Sequence, residues 1–187
     1  MEVEFNNQDQ FDRMIDYYAK TKDVPNLEHL WVGKNPVDEL LNRIKLVPVG
    51  CNVKPKTISE LTKAIKQIGN CLSCLHEIGF VHCDVRWSNI VVTTESNYVL
   101  IDSEHACRCD DNDLLTVRSG TIRKEYVMDN SKPWCSRFDY YQMGLLLDQQ
   151  QLEGVELSPE LSDIRDQLLD RTVLEGKFFD EKFKITV

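Results

Sequence analysis

The sequence predicts an α+β fold, a small front with one helix and two strands followed by a larger, mostly helical body. Three observations carry the prediction. Residues 57 to 78 hold a long amphipathic pattern, with Leu61, Ile65, Ile68, Leu72 and Leu75 on one stripe at three- and four-residue spacing. Two more helical patterns follow, Ser136 to Leu147 and a last one opened by Ser158-Pro159-Glu160. Between the first and the others, Ile90-Val91-Val92 and Tyr98-Val99-Leu100-Ile101 flank a turn at Glu95-Ser96-Asn97, the pattern of a strand pair.

The elements follow in order. Residues 7 to 20 read as a helix capped by Asn7, with Gln10 placed to reach back as in a capping box. Phe11, Met14, Ile15 and Tyr18 share one face. His29-Leu30-Trp31-Val32 is a strand candidate, and residues 33 to 36 form a turn. Residues 43 to 49 are a second strand, with Pro48 marking an edge or end and Gly50 breaking it. Thr57-Ile-Ser-Glu60 is a capping box for the long helix, and Gly79 sits where a left-handed C-terminal cap belongs. Ser158 caps the last helix with Pro159 at its first position, and Leu161, Ile164, Leu168 and Leu169 are its apolar face.

Composition narrows the function classes. The chain has 187 residues, 42% hydrophobic and 28% charged, which suits a soluble globular domain with a real core. No apolar run approaches the roughly 20 residues of a membrane span, and Met-Glu-Val-Glu-Phe-Asn-Asn does not read as a secretory signal. The expectation is an intracellular protein, cytoplasmic or nuclear. Net charge is −9 with no basic cluster, so a nucleic-acid backbone is not an expected partner and a cationic one is easier to accommodate. Seven cysteines without a signal are expected as thiols. Cys71-x-x-Cys74 and Cys107-x-Cys109 could supply four zinc thiolates, but Cys71 on the apolar helix face reads better as a small hydrophobe.

The chemistry concentrates at His82-Cys-Asp-Val-Arg-Trp-Ser-Asn89. Asp84 and Asn89, five positions apart, fall on a loop between the long helix and the strand pair, and Asp102 ends the second strand. A carboxylate to accept the proton of an attacking hydroxyl, with an amide and a second carboxylate to hold divalent metals, is the set that phosphoryl transfer needs. The bland alternative, ordinary loop formers, does not account for order, spacing and context together.

This pattern, His-x-Asp-x-Arg-x-x-Asn followed by Asp102-Ser103-Glu104, resembles the catalytic loop and metal-binding motif of the protein kinase superfamily. The resemblance runs over roughly residues 7 to 170 and implies a protein kinase-like fold, a mostly helical large lobe (51–187) behind a truncated small lobe (1–50). It implies Asp84 as catalytic base and Arg86 as charge partner of the transferred phosphate. Asn89 and Asp102 become ligands of Mg²⁺ or Mn²⁺, and the backbone around Val47, Val49 and Gly50 becomes the hinge that holds the adenine of ATP. Asp139 and Gly144 match the family's buried helix, where the Asp holds backbone amides of the catalytic loop, and His76 reads as structural. Residues 104 to 136 would be the activation segment and peptide-docking loop, with Ser119-Gly120-Thr121 and Tyr126 faintly similar to its end. Trp87 gives a loop similar to those of crinkler-type effectors and expanded fungal kinase-like families.

Several family features are missing from these residues. None of the eight glycines has the spacing of a glycine-rich loop, no strand lysine precedes the first helix, and that helix offers Asp12 and Asp16 but no glutamate. Lys45 lies on the wrong strand and reads as a solvated charge. Cys83 replaces the arginine that engages a phosphorylated activation loop, and Glu104 replaces the glycine that closes the metal-binding motif. The resemblance therefore implies an ATP-dependent protein kinase-type phosphotransferase, with serine or threonine preferred to tyrosine, or a fragment of one, acting on a protein substrate or partner. A catalytically impaired, pseudokinase-like binding scaffold and a small-molecule kinase stay open beside it.

Overall fold

In the computed structural model, residues 1–109, 136–152 and 154–170 are described. The expected activation segment beyond Cys109, including Ser119-Gly120-Thr121 and Tyr126, and the tail from 171 lie outside them. The front of the molecule is a four-stranded antiparallel sheet and a helix. Its central strand β4 (Arg43–Val47) is flanked on one side by β1 (Glu2–Glu4) and on the other by β2 (His29–Leu30) and β3 (Val37–Asp38). Register places Val3 and Val37 on either side of Ile44, and His29 opposite Val47. Two strands were expected here and four are present. The extra ones, β1 and β3, are three and two residues long, too short to show a period in sequence, and exist as partners of β4.

Helix α1 (Gln8–Thr21) packs on this sheet, capped by Asn7, whose side chain accepts from the Asp9 and Gln10 amides. Phe11, Met14 and Tyr18 are buried as expected, with Tyr17 added and Ile15 only partly covered. Helix α2 (Ile58–Glu77) follows the expected stripe: Leu61, Ile65, Ile68, Leu72 and Leu75 are all buried, as is Cys71. Its capping box is complete, with Glu60 N donating to Thr57 Oγ1 at 3.2 Å and Thr57 N donating to Glu60 Oε2 at 3.2 Å. Gly79, at φ 80°, takes the left-handed turn that ends the helix. Thr57→Ala is expected to cost about 1 kcal/mol, read as a lower urea midpoint with an unchanged m-value. An unchanged midpoint would mean that the cap contributes nothing.

Beyond α2 come β5 (Phe80–Val81), the loop, β6 (Ile90–Val92) and β7 (Tyr98–Leu100), then β8 (Cys107–Arg108). β6 and β7 form a hairpin with Ile90 opposite Leu100, and β8 returns antiparallel to β5. Helix α3 (Ser136–Leu146) and α4 (Pro159–Leu169) close the back. They meet at Gly144, where a Cβ would sit 2.9 Å from Leu168 Cβ, so the match of Gly144 to the family has a packing cause. One apolar cluster runs from Phe5, Met14 and Ile44 in the front, through Ile65 and Leu72 on α2, to Tyr140 and Leu168 at the back. Packing is therefore continuous across residue 50, although the architecture changes there from sheet to helices. Among the described residues no helix is long and apolar enough to cross a membrane.

Candidate active site

The loop 82–89 is held from behind by α3. Asp139, fully buried, accepts from His82 N and Cys83 N at 2.8 Å each, and its Oδ2 also pairs with His76 Nε2 at 2.9 Å. The contacts expected for Asp139 and the structural place expected for His76 are both present. Gln142, one turn further on, grips the peptides on either side of Asp84: its Oε1 accepts from Val85 N at 2.8 Å and its Nε2 donates to Cys83 O at 2.9 Å. Sequence reasoning missed Gln142. The signal was available, since a residue three positions after Asp139 lies on the same helix face. Trp87 adds a third tie, Nε1 to Leu146 O at 3.1 Å. Asn52, two residues past Gly50, donates to Trp87 O at 2.6 Å and Ile90 O at 2.9 Å, linking the end of the front to the loop.

These ties explain the backbone. Cys83 has φ 70°, a left-handed conformation costing a non-glycine residue roughly 1–2 kcal/mol. Both its N–H and its C=O are bonded by α3, which holds it there. The turn delivers Asp84 into a cluster. Asn89 Nδ2 donates to Asp84 Oδ2 at 2.7 Å and to Asp84 O at 3.0 Å, and Arg86 Nη2 lies 3.0 Å from the same Oδ2. Among the described residues, no protein group engages Asp84 Oδ1. With its nitrogen committed to Asp84, Asn89 keeps Oδ1 as a second oxygen, met by Ser88 Oγ at 3.4 Å. It is a hard oxygen of the type Mg²⁺ takes.

The β6–β7 hairpin brings the remaining carboxylate to the same end. Ile101 N donates to Asn89 O at 2.8 Å, so Asp102 leaves the ladder beside Asn89. Asp102 has φ 68°. Its carboxyl is held above the usual range, by burial first and then by the negative charges of Glu104 and Asp84, with His105 and Arg86 opposing. A cation placed there would relieve that repulsion, so Asn89 and Asp102 fit a divalent ion. His82 is fully buried, and burial pushes its imidazole down toward the neutral form.

The structure thus joins Asp84, Arg86, Asn89 and Asp102, and sets Val47, Val49 and Gly50 apart from them. Val49 is exposed, and a Cβ on Gly50 would strike Val92 O at 2.6 Å, which accounts for glycine there. Val47 and Val49 line a cavity of about 570 Å³ with Pro25, Asn26 and Thr93. Val49 and Gly50 line another of about 620 Å³ with Val53 and Tyr98. Neither contains the loop carboxylates. Lys45, expected as a solvated charge, lies 3.7 Å from Glu2 and over the Trp31 ring. Among the described residues, no three His, Cys, Asp or Glu side chains converge as a metal set, so the four-thiolate alternative is not assembled.

A solved structure, a Toxoplasma gondii rhoptry antigen kinase domain, matches 98% of this chain and 72% of its own at a TM-score of 0.56 and 15% identity. The fold is protein kinase-like. At that identity the likeness shows the fold alone. No family model matches the sequence. Crinkler effector protein 8 of Phytophthora infestans is 33% identical over 89 residues, 46% of this chain and 14% of that protein. A probable serine/threonine-protein kinase of Dictyostelium discoideum is 27% identical over 114 residues, 59% of this chain and 7% of that protein. The chain therefore spans a small part of either relative's length.

One consequence can be tested without nucleotide. A carboxyl whose folded pKa is raised adds stability below its unfolded pKa, about 3.9, and that stability is lost as pH rises through the folded value. Asp102→Asn removes this loss and keeps a residue tolerant of positive φ. The metal-free variant is expected to match the wild type near pH 4 and to melt higher at pH 7, by thermal denaturation at both. A lower melting temperature at pH 7 would overturn the electrostatic account.

Proposed function

We propose that the chain is an ATP-dependent phosphotransferase of the protein kinase type, acting on serine or threonine hydroxyls of a protein. The observation that carries the reading is the convergence of Asp84, Arg86, Asn89 and Asp102 at one end of the β6–β7 hairpin. Asp84 Oδ1 orients the substrate hydroxyl and takes its proton as the oxygen attacks the γ-phosphorus and ADP leaves. Asn89 and Arg86 fix the Asp84 rotamer through Oδ2. The partly exposed Arg86 guanidinium offsets charge on the transferred phosphate. Mg²⁺ or Mn²⁺ at Asn89 and Asp102 would neutralise the nucleotide phosphates. The hinge backbone at Val47, Val49 and Gly50 faces the adenine in this reading. The likeness to a probable serine/threonine kinase favours aliphatic hydroxyls, and the net charge of −9 suits a cationic protein substrate in a cytoplasmic or nuclear setting.

Calorimetry with Mg·ATP on the wild type and Asp102→Ala tests the site. The wild type is expected to bind, and the variant to bind at least tenfold more weakly, as loss of a metal-ligating group does. Equal binding would remove Asp102 from the role.

One observation favours the impaired scaffold as a second reading. The strand just before α1 presents Glu2 and Glu4, the latter 2.7 Å from Arg43, and no lysine to take a phosphate. β1 thus supplies no cation to the small-lobe half of the charge stabilisation.

A further inference from the structure

We propose that Glu28 is a positioning residue for the metal-binding segment, holding the Asp102–Ser103 peptide in the conformation that presents the Asp102 carboxylate. The inference rests on the phosphotransferase reading only in taking Asp102 as a ligand of the nucleotide-bound metal.

Glu28 lies outside every motif of the sequence. It sits between Leu27 and β2, and its side chain is a carboxylate in a residue only 1% exposed. Burying a carboxylate is costly unless bonds compensate. Here one oxygen, Oε1, accepts from Ser103 N at 2.8 Å and from Tyr18 Oη at 2.8 Å. The acid is thus committed to a single main-chain amide, that of the residue after Asp102.

The main chain of Glu28 is fixed to the same strand. Glu28 N donates to Leu100 O at 2.9 Å, Leu100 N donates to Asn26 O at 2.8 Å, and Asn26 Nδ2 donates to Tyr98 O at 2.9 Å. The segment Asn26–Glu28 therefore runs along β7 up to two residues short of Asp102. Beyond that point the ladder ends and Asp102 turns to φ 68°, with a hydrogen bond on either side of the turn. Ile101 N is held by Asn89 O on one side of the turn. Ser103 N is held by the Glu28 side chain on the other. Glu28 also ties this turn to α1 through Tyr18, so the helix and the metal segment share one buried contact.

Three further buried oxygens, Glu28 Oε2, Ser103 Oγ and Tyr17 Oη, surround the tie. Burial raises the Glu28 carboxyl above its usual range, and the Ser103 and Tyr18 bonds oppose that.

The test separates positioning from mere packing by splitting metal from nucleotide. Wild type, Glu28→Gln, Glu28→Met and Glu28→Asp are compared for binding of Mn·ATP and of ATP in EDTA. Measurements are made well below each variant's melting temperature, with folding checked by circular dichroism. Glutamine keeps an acceptor of the same reach, and binding of Mn·ATP is expected within about threefold of wild type. Methionine keeps the volume and loses the acceptor, and aspartate keeps the charge and loses the reach. Each is expected to weaken Mn·ATP binding about 10–100-fold, the range for partners that orient metal ligands. Binding of metal-free ATP is expected to stay unchanged in all. Should Glu28→Met not fold, Glu28→Asp decides. Wild-type Mn·ATP affinity in the folded acceptor-deficient variants, or an equal loss in Glu28→Gln, overturns the inference. If wild-type Mn·ATP affinity is itself insensitive to Asp102→Ala, the phosphotransferase reading fails instead, and the two failures are told apart.

Discussion

Asp84→Asn is expected to lower phosphate transfer by about 10²–10⁴-fold, the usual contribution of a positioned general base, while leaving the melting temperature nearly unchanged. Asparagine keeps an oxygen for the Asn89 and Arg86 bonds that now converge on Oδ2, but its nitrogen cannot take a proton. The assay is radiolabelled phosphate transfer to a basic protein substrate. It has a second arm, because phosphoryl transfer is largely positioning and charge stabilisation, and β1 offers Glu2 and Glu4 where a phosphate-binding lysine would be useful. The 187-residue chain alone is expected to transfer slowly, since one lost charge-stabilising donor costs on the order of 3 kcal/mol. Supplying a glycine-loop hairpin with a strand lysine, in cis or on a partner chain, is expected to raise transfer in an Asp84-dependent manner. Robust transfer by the chain alone would overturn the small-lobe argument. No transfer with the hairpin supplied would favour the scaffold.

Asp139→Ala is the substitution expected to cost most stability. Its carboxylate is the acceptor for His82 N and Cys83 N, both inside the molecule. Removing it strands two buried amides at roughly 1–3 kcal/mol each, and takes the carboxylate away from His76 as well. A total loss of about 3–5 kcal/mol lowers the melting temperature by on the order of 10 °C at this chain length. The effect extends to the site, since these amides belong to the two residues before Asp84. Gln142→Ala, which strands Val85 N in the same way, is expected to cost about half as much. A melting temperature for Asp139→Ala within about 2 °C of wild type, a shift of under about 1 kcal/mol, would show the loop to be held by other means.

The helices were legible because burial leaves a period. The α2 stripe, its capping box and the turn at Gly79 all depend on contacts within four residues, which a sequence writes side by side. The strands β1 and β3 were not legible, because two or three residues carry no period and pair only through β4. Among the candidate site residues, Asp84, Arg86, Asn89 and Asp102 stood out by their order and spacing. Gln142, Asn52 and Glu28 did not, although each bonds the loop or the turn after β7 from 35 or more residues away.

By itself the sequence determined the helices, the β6–β7 hairpin, the candidate residues and their order along the chain, since these depend on local periodicity and fixed spacing. Only the tertiary structure decided that Asn89 gives its nitrogen to Asp84 and keeps its oxygen for another partner. It alone showed that Gln142 joins Asp139 in holding the peptides of the loop, and that a buried Glu28 grips the amide beyond Asp102. The physical reason is one of range. A hydrogen bond between distant segments depends on how helices and strands pack, and residue type in sequence does not say which donor will meet which acceptor.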